Sequence, residues 1–288
     1  RRLRNTIKSQ EIKAKQNEVE YLKVQYAARF CYNTAEHLNN WVWLMCVISA
    51  AFIFLPDDIP IWINIFPFLA EIIAAILSFV LSKYISDAAF LRKFFDSKVL
   101  GINEMQFSTE EERYIKEKYK KIYRLHKKEA DVQIANTGRD NPPGVKNWYE
   151  FSSDIDGLKA VFKCQYQNVW WNKKMIKGRL CVSLILFFLI VAIYIIFATT
   201  RGAFQVLLCS AGIIIKFAER VIEICRYQKV SIEIDAVLFL VEKDIRMSLV
   251  ESLQELIDKR RTIEVLEINL FHKKKAKALS EEYEDISG

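Results

Sequence analysis

The segment from Leu180 to Ala198, LCVSLILFFLIVAIYIIFA, is apolar throughout and contains no charged residue. A helix of this length, rising about 1.5 Å per residue, crosses a bilayer core of roughly 30 Å. A core helix of a soluble protein would show a regular polar stripe, and the only hydroxyls here are those of Ser183 and Tyr194. The sequence therefore predicts a membrane span, and every other apolar segment has to be assessed as a possible span.

Three other apolar segments are long enough, or nearly long enough, to cross a membrane. Trp41 to Leu55 is short for a span, Ile61 to Leu81 has the full length, and Ala203 to Ala218 is interrupted by Lys216. Short polar turns at 56–60 and 199–202 separate the members of each pair. We therefore expect an all-α membrane protein with two transmembrane helical hairpins, whose four spans are 41–55, 61–81, 180–198 and 203–218.

The remaining segments are rich in charge and predict helices on the water side. Residues 1–40 lack Gly and Pro and carry the apolar stripe of a long amphipathic helix. Residues 82–179 predict a helical sensor domain, with an N-cap at Ser108 and a loop at 136–144. Residues 219–288 predict a helix that continues from the fourth span. The leucine spacing there fits either a coiled coil or an amphipathic helix folded back on the domain.

The charge distribution predicts the orientation in the membrane. The turn at 56–60 has no Lys or Arg and the turn at 199–202 has only Arg201, whereas the other polar segments are rich in both. By the positive-inside rule, the N-terminus, the middle domain and the C-terminus are cytoplasmic. The net charge of +7 reflects this orientation and contact with anionic lipid headgroups. We therefore expect the lipid bilayer as a partner, and no DNA or RNA polymer.

Residues that would carry out catalysis or bind a metal are not arranged for either task. The three histidines, His37, His126 and His272, lie far apart, and the six cysteines are isolated from one another. The sequence contains no GxSxG, HExxH or phosphate-loop motif. We expect no enzyme, no metal site and no cofactor.

Glu71 lies near the middle of the second predicted span, where a carboxylate facing lipid costs about 2.5 to 3.5 kcal/mol or more. Pro67, four residues earlier, lacks a backbone donor and predicts a kink. A kink beside an intramembrane acid is typical of a gate or a pore lining. Two alternatives are an ion pair between Glu71 and Lys216 of the fourth span, and a protonated Glu71 hydrogen-bonded to a neighbouring helix.

A second group of residues has the chemistry of a nucleotide site. Guanidinium and ammonium groups bind phosphate, aromatic rings stack on bases, and side-chain amides pair with base edges. The same mixture suits an ordinary domain surface beside lipid headgroups, so chemistry alone leaves both interpretations open. The middle segment supplies these groups at Arg139, Lys146, Trp148, Tyr149, Gln165, Asn168 and Trp171.

Several of these residues occur in clusters that resemble a known family. The clusters are Gln16-Asn17 in the first helix, VKNWY at 145–149, and Gln165 with NVWWNKK at 168–174, just before the second hairpin. They are similar to the four-transmembrane effector family associated with SMODS-type nucleotidyltransferases in bacterial anti-phage signalling. The likeness extends over almost the whole architecture, with sharp matches only at these clusters.

The resemblance implies that an infection-activated synthase makes a cyclic di- or oligonucleotide and that the cytoplasmic part binds it. The four spans would then permeabilise the bacterial inner membrane and stop growth or kill the cell. Together with the short spans, this implies a homo-oligomer. The alternative is a membrane-anchored helical scaffold that recruits a protein partner without forming a pore. A transporter is disfavoured, because only one span has a central acidic residue and no inverted repeat is evident.

Overall fold

The computed structural model of the chain describes residues 9–55, 63, 65–103, 106–150, 155, 157–176, 179–198 and 203–265. Within these ranges the regular elements are helices, beside one isolated bridge between Thr137 and Lys146, and the all-α class is confirmed. The turns predicted at 56–60 and 199–202 lie outside the described residues. The helices are α1 (Ser9–Gln16), α2 (Val19–Ala51), α3 (Ile65–Leu100), α4 (Thr109–Leu125), α5 (Lys127–Ala135), α6 (Leu158–Ile176), α7 (Arg179–Ala198), α8 (Ala203–Lys243) and α9 (Met247–Arg261).

The first predicted span and most of the predicted N-terminal helix form one continuous helix. α2 passes the predicted boundary at residue 40 without a break, because neither Gly nor Pro interrupts it, and ends in a 3-10 turn at Phe52–Phe54. The chain bends earlier, between α1 and α2, where the Asn17 amide donates to the Lys13 carbonyl at 3.0 Å. α2 therefore contains both the described part of the predicted N-terminal helix and the predicted span that begins at residue 41.

α3 also crosses a predicted boundary. It begins at Ile65, continues past residue 81 to Leu100, and ends where Gly101 adopts a φ of 66°. Pro67 lies in the first turn of this helix, where its missing N–H removes no helical hydrogen bond. The kink predicted at Pro67 is therefore wrong for the described helix.

The charged middle segment folds into the end of α3 and helices α4 to α6. The predicted N-cap is confirmed: the Ser108 hydroxyl accepts from the Glu111 N–H at 3.2 Å, and the Glu111 carboxylate accepts from the Ser108 N–H at 2.8 Å. The loop predicted at 136–144 is also confirmed and follows α5. Its end is fixed by the Gly144 N–H, which donates to the Thr137 carbonyl at 2.6 Å.

The C-terminal segment is not one long helix. α8 continues from the fourth predicted span, as expected, but it ends at Lys243. The chain then reverses, and α9 packs against α3, α6 and α8. Of the two alternatives for this segment, the folded-back amphipathic helix is confirmed as far as Arg261. Its leucine spacing places apolar side chains in the domain core and does not form a coiled coil with a second helix. Residues 266–288 lie outside the described residues.

The described helices form two parts with separate cores, which we call the apolar bundle and the head domain. The apolar bundle consists of α2 from Trp41, α3 as far as Leu81, α7, and α8 as far as Phe217; the remaining helices and helix segments form the head domain. The described core of the bundle includes Cys46, Ala74 and Cys209. The head domain has the larger core, to which every helix except α7 contributes buried residues.

The outer surface of the apolar bundle consists of large apolar side chains. On α3, Phe68, Ile72, Ile76 and Phe79 are exposed, Phe79 by 76%. Apolar area left in water costs about 25 cal/mol per Å², whereas a lipid environment removes that cost. Among the described residues, Val19–Phe54 and Ile65–Leu100 have the length and hydropathy of membrane spans, and Leu184–Ile196 is a shorter apolar helix. The two long apolar helices indicate a membrane protein.

Gly144 provides a test of the loop that follows α5. A Cβ atom at Gly144 would lie 1.9 Å from the Asn136 carbonyl oxygen, whereas a Cβ atom at Gly138 would meet nothing within 4 Å. We expect Gly144→Ala to lower the free energy of unfolding by about 2 kcal/mol or more, because the loop must move and lose hydrogen bonds. Gly138→Ala, the matched control, should change it by less than about 0.5 kcal/mol. Unfolding in detergent micelles measures both, and equal stabilities would contradict the loop geometry.

Candidate functional site

Two of the sequence clusters that carry the family resemblance are hydrogen-bonded to each other. The Gln16 side-chain amide donates to the Tyr149 carbonyl at 3.2 Å, and its oxygen accepts from the Tyr149 N–H at 2.8 Å. The Asn17 side chain pairs in the same way with Asn147, accepting from its N–H at 3.0 Å and donating to its Oδ1 at 2.7 Å. Asn147 has a φ of 53°, which Asn tolerates better than most residues. We call these four residues the clasp; it fixes the segment before α6 to α1.

The clasp directs the Tyr149 side chain to Asp96 of α3, in the interior of the head domain. The Tyr149 hydroxyl donates to Asp96 Oδ1 at 2.5 Å. Asp96 Oδ2 accepts from Arg261 Nη1 at 2.7 Å and from Gln254 Nε2 at 3.0 Å. The Asp96 side chain is only 1% exposed, and a carboxylate so buried needs these partners to remain ionised. With Asp258, these four residues form what we call the hub.

Asp258 is the second acid of the hub. Its Oδ1 accepts from Gln254 and from Arg261, both at 3.1 Å. Burial raises the pKa of Asp258 to about 6, although the Arg261 charge acts in the opposite direction. Because this pKa lies above that of an Asp in the unfolded chain, proton uptake by Asp258 stabilises the fold as the pH falls from about 6 towards 4.

α6 contributes two amides to the hub's surroundings. The Gln165 amide donates to Gln254 Oε1 at 3.1 Å and to the Val250 carbonyl at 2.9 Å, and the Asn168 amide donates to the Tyr149 hydroxyl at 3.1 Å. Burial, reinforced by Asp96, raises the pKa of Tyr149 well above its usual value. Tyr149 therefore stays protonated and remains a donor to Asp96.

Arg92, which lies one helical turn before Asp96 on α3, is a residue that the sequence interpretation missed. It is 8% exposed, and its guanidinium carbon lies 3.9 Å from the centre of the Trp148 ring. Burial, together with the nearby Arg261 charge, lowers the pKa of Arg92 to about 10. The sequence did contain a signal, since Arg92 continues the apolar stripe of Leu81, Ile85, Ala88, Phe95 and Val99.

The predicted ligand residues are not brought together at one open site. Arg139 and Lys146 are exposed, and Arg139 pairs with Glu150 at 2.7 Å. Tyr149 and Gln165 are buried, whereas Trp148 and Asn168 are half-buried. The side chain of Trp171 lies outside the described residues. The head domain therefore gathers four of the seven predicted residues in and around the hub, at Trp148, Tyr149, Gln165 and Asn168.

Two open grooves on the head domain were not anticipated from the sequence. One, of about 400 Å³, reaches the hub from outside and is lined by Ser86, Asp87, Ala89, Phe90, Lys93, Tyr114, Asp258 and Thr262. The other, of about 410 Å³, lies between α2 and α4 and is lined by Val19, Glu20, Lys23, Tyr119, Lys120, Tyr123 and Arg124. The members of each groove come from distant parts of the sequence, so spacing alone does not reveal them.

The predicted gate residues lie in the apolar bundle. Glu71 Oε1 accepts from the Ser49 hydroxyl of α2 and from the Gly212 N–H of α8, both at 3.0 Å. Lys216 does not pair with Glu71; its ammonium lies 3.4 Å from the Glu219 carboxylate. The bundle therefore holds Glu71 by hydrogen bonds from two neighbouring helices. Gly212 is needed for this approach, because a Cβ atom there would lie 2.9 Å from Glu71 Oε1.

The hub makes a clear stability prediction. We expect Asp96→Asn to lower the free energy of unfolding by about 3 to 5 kcal/mol, because it leaves the Arg261 charge in the interior without its main partner. The control is Asp244→Asn, which breaks a pair with Arg246 in which both side chains are more than half exposed, and should cost about 1 kcal/mol or less. Unfolding of both variants in the same detergent measures the difference. Similar losses for the two would contradict the central position of Asp96.

Comparison with known sequences places the chain in a family. The sequence profile of the SMODS-associating 4TM effector domain matches residues 10–210. This range contains the clasp, Arg92, Asp96, Glu71 and α6, and it ends within α8 before the hub residues of α9. Neither the curated proteins nor the solved structures include a match to the chain. Because the profile matches more than half of the sequence, the chain belongs to the family of SMODS-associating 4TM effector domains.

Proposed function

We propose that the protein is a four-span effector of bacterial anti-phage defence, opened by a cyclic di- or oligonucleotide, which permeabilises the inner membrane as a homo-oligomer and catalyses no reaction. Membership of an effector family supports the role in defence. The observation that carries the membrane action is the surface of the apolar bundle, where large apolar side chains are exposed on all four helices.

The exposed side chains support four membrane-crossing helices. α2 exposes Trp41 and Val47, α7 exposes Phe188 and Ile196, and α8 exposes Ile215, in addition to the exposed row on α3. The Phe217 ring of α8 lies 4.7 Å from Trp43 of α2 and 6.5 Å from Phe187 of α7, measured between ring centres. Three of the four helices therefore meet at one level, and α3 joins them through Glu71.

The distribution of charge supports an orientation in the membrane. Ser9 and Val265, the first and last described residues, both lie at the head-domain end of the molecule. The head domain carries most of the Lys and Arg residues, whereas the predicted turn at 56–60 has none. The positive-inside rule then supports a cytoplasmic head domain with both ends of the chain inside the cell.

The span of α2 supports assembly into an oligomer. From Trp41 to Phe54 the helix rises only about 20 Å, which is less than the hydrocarbon thickness of a bilayer. Short spans relieve this mismatch by thinning the bilayer or by associating with other spans. A small core with broad apolar faces, as the bundle has here, leaves those faces available to further copies.

The path from ligand to pore is supported by the continuity of α3. Along the axis of this helix, Glu71 lies about 32 Å from Arg92 and about 38 Å from Asp96, with no Gly or Pro between them. α8 joins the bundle to α9, which supplies Arg261 to the hub. A ligand that binds one arrangement of the head domain more tightly than another shifts the equilibrium between the two arrangements. The free energy of that shift is no larger than the difference between the two binding free energies.

Leakage from liposomes tests the proposed function. We expect the purified protein to release a trapped dye when one member of a panel of cyclic di- and trinucleotides is added, because the ligand stabilises the open arrangement. Linear forms of the same nucleotides serve as controls. Absence of leakage with every nucleotide, from protein shown to be folded and inserted, would favour the scaffold alternative instead.

Glu71 separates a pore from a scaffold. Glu71→Gln removes the charge and keeps an oxygen that accepts from Ser49 and Gly212, so the bundle should remain folded. We expect the variant to lower the permeability ratio of K⁺ to Cl⁻ in the ligand-triggered leak, because a carboxylate in the conducting path attracts cations. Glu219→Gln, which removes a mostly exposed carboxylate at the edge of the bundle, is the control. An unchanged ratio for Glu71→Gln would contradict a pore lined by this residue.

A further inference from the structure

Arg92 is a buried cation that pairs with no anion among the described residues. In that part of the chain its guanidinium makes no hydrogen bond and no ion pair, and it lies over the Trp148 ring. Other guanidinium groups of the head domain do donate: Arg29 to the carbonyls of Pro143 and Gly144, Arg260 to that of Asn168, and Arg261 to Asp96. Among the described residues, Arg92 therefore differs from these three arginines in making no hydrogen bond.

The nearest carboxylate does not neutralise Arg92. Asp96 Oδ1 is occupied by the Tyr149 hydroxyl, and Oδ2 is occupied by Arg261 and Gln254. Arg261 adds a second positive charge beside Arg92. Burial of a guanidinium without an ion pair is unfavourable, and an anion bound to it offsets part of that cost.

The stacking geometry leaves the guanidinium ready for such an anion. Its central carbon lies over the Trp148 ring, 3.9 Å from the ring centre. A guanidinium carries five N–H donors in one plane, and two of them can bind a phosphate side by side. The Trp148 ring is partly exposed, so the stack lies just below the surface. An indole ring also stacks on nucleobases, which places the two halves of a nucleotide within reach of one pair of side chains.

We infer that Arg92 and Trp148 form the site at which a phosphate of an anionic nucleotide binds, with Arg92 holding the phosphate and Trp148 contacting the base. The class of ligand rests on the proposed function. Arg92 lies on α3 one turn from Asp96, and Trp148 lies between the clasp residues Asn147 and Tyr149. A phosphate at this site therefore acts on the helix that reaches Glu71.

Thermal unfolding of the full-length protein in detergent tests the site. The variants are Arg92→Gln, which removes the charge, and Arg92→Lys, which keeps the charge without the fork of donors. Lys93→Gln is the matched control, because it removes the same charge from the next residue of α3, where the ammonium lies 5.7 Å from the Phe107 ring centre. Each protein is measured alone, with sodium pyrophosphate against sodium chloride of equal ionic strength, and with the panel of cyclic nucleotides.

Without ligand, Arg92→Gln should unfold within a few degrees of the wild type, because the loss of the contact with Trp148 and the removal of an unpaired buried charge act in opposite directions. A nucleotide or pyrophosphate should raise the unfolding temperature of the wild type and of Lys93→Gln. Binding to Arg92→Gln should be about ten- to a hundredfold weaker, with Arg92→Lys between them. Equal binding of these anions to Arg92→Gln and to the wild type would overturn the inference.

The outcomes with ligand separate the inference from the proposed function. If a nucleotide stabilises the wild type and Arg92→Gln equally, nucleotide sensing stands and the Arg92 site is overturned. If pyrophosphate stabilises the wild type but not Arg92→Gln, and no cyclic nucleotide has an effect, the anion site stands and the cyclic nucleotide is overturned as its ligand. If neither pyrophosphate nor any cyclic nucleotide stabilises the wild type, both the Arg92 site and the proposed nucleotide sensing are overturned.

Discussion

The Asp96 carboxylate is the interaction on which the head domain depends. It is buried, it is charged, and it is held by groups from two separate segments, the Tyr149 hydroxyl and the Arg261 and Gln254 side chains of α9. Burial of an ion is tolerated only when its partners are in place, so this one residue requires the clasp to set Tyr149 and the C-terminal segment to fold back. Removing any of these contacts leaves a charge or a polar group without its partner in a low-dielectric interior.

The hub explains why polar residues of the family clusters are buried in this chain. The side-chain amides of Gln16 and Asn17 form hydrogen bonds with the segment that carries Trp148 and Tyr149. Gln165 and Asn168 bond α9 and Tyr149 in turn. Residues with the chemistry expected of a ligand site therefore hold the head domain together. Arg92 is the exception, because its donors have no partner within the described chain.

The head domain and the apolar bundle each bury an acidic side chain, but the groups that contact the acid differ. In the head domain Asp96 is paired with a guanidinium, whereas in the apolar bundle the described partners of Glu71 are a hydroxyl and a backbone N–H. Lys216, the one basic residue of the fourth predicted span, pairs with Glu219 near the edge of the bundle. Among the described residues, Glu71 is therefore hydrogen-bonded without a cation, in a region whose outer surface is apolar. That combination is consistent with the proposed role of Glu71 along an ion path.

The sequence by itself determined the helical class, the membrane segments, the Ser108 cap and the loop at 136–144, because periodicity, long apolar runs and turn residues act over a few neighbouring positions. It did not determine where helices end, since α2 and α3 pass unbroken from the bundle into the head domain and no local signal marks the membrane boundary. Only the tertiary structure decided that α9 folds back, that Glu71 meets Gly212 instead of Lys216, and that Asp96 and Arg92 are buried. These contacts join residues up to 165 positions apart in the sequence. The packing of whole helices therefore determines which group pairs with a buried charge.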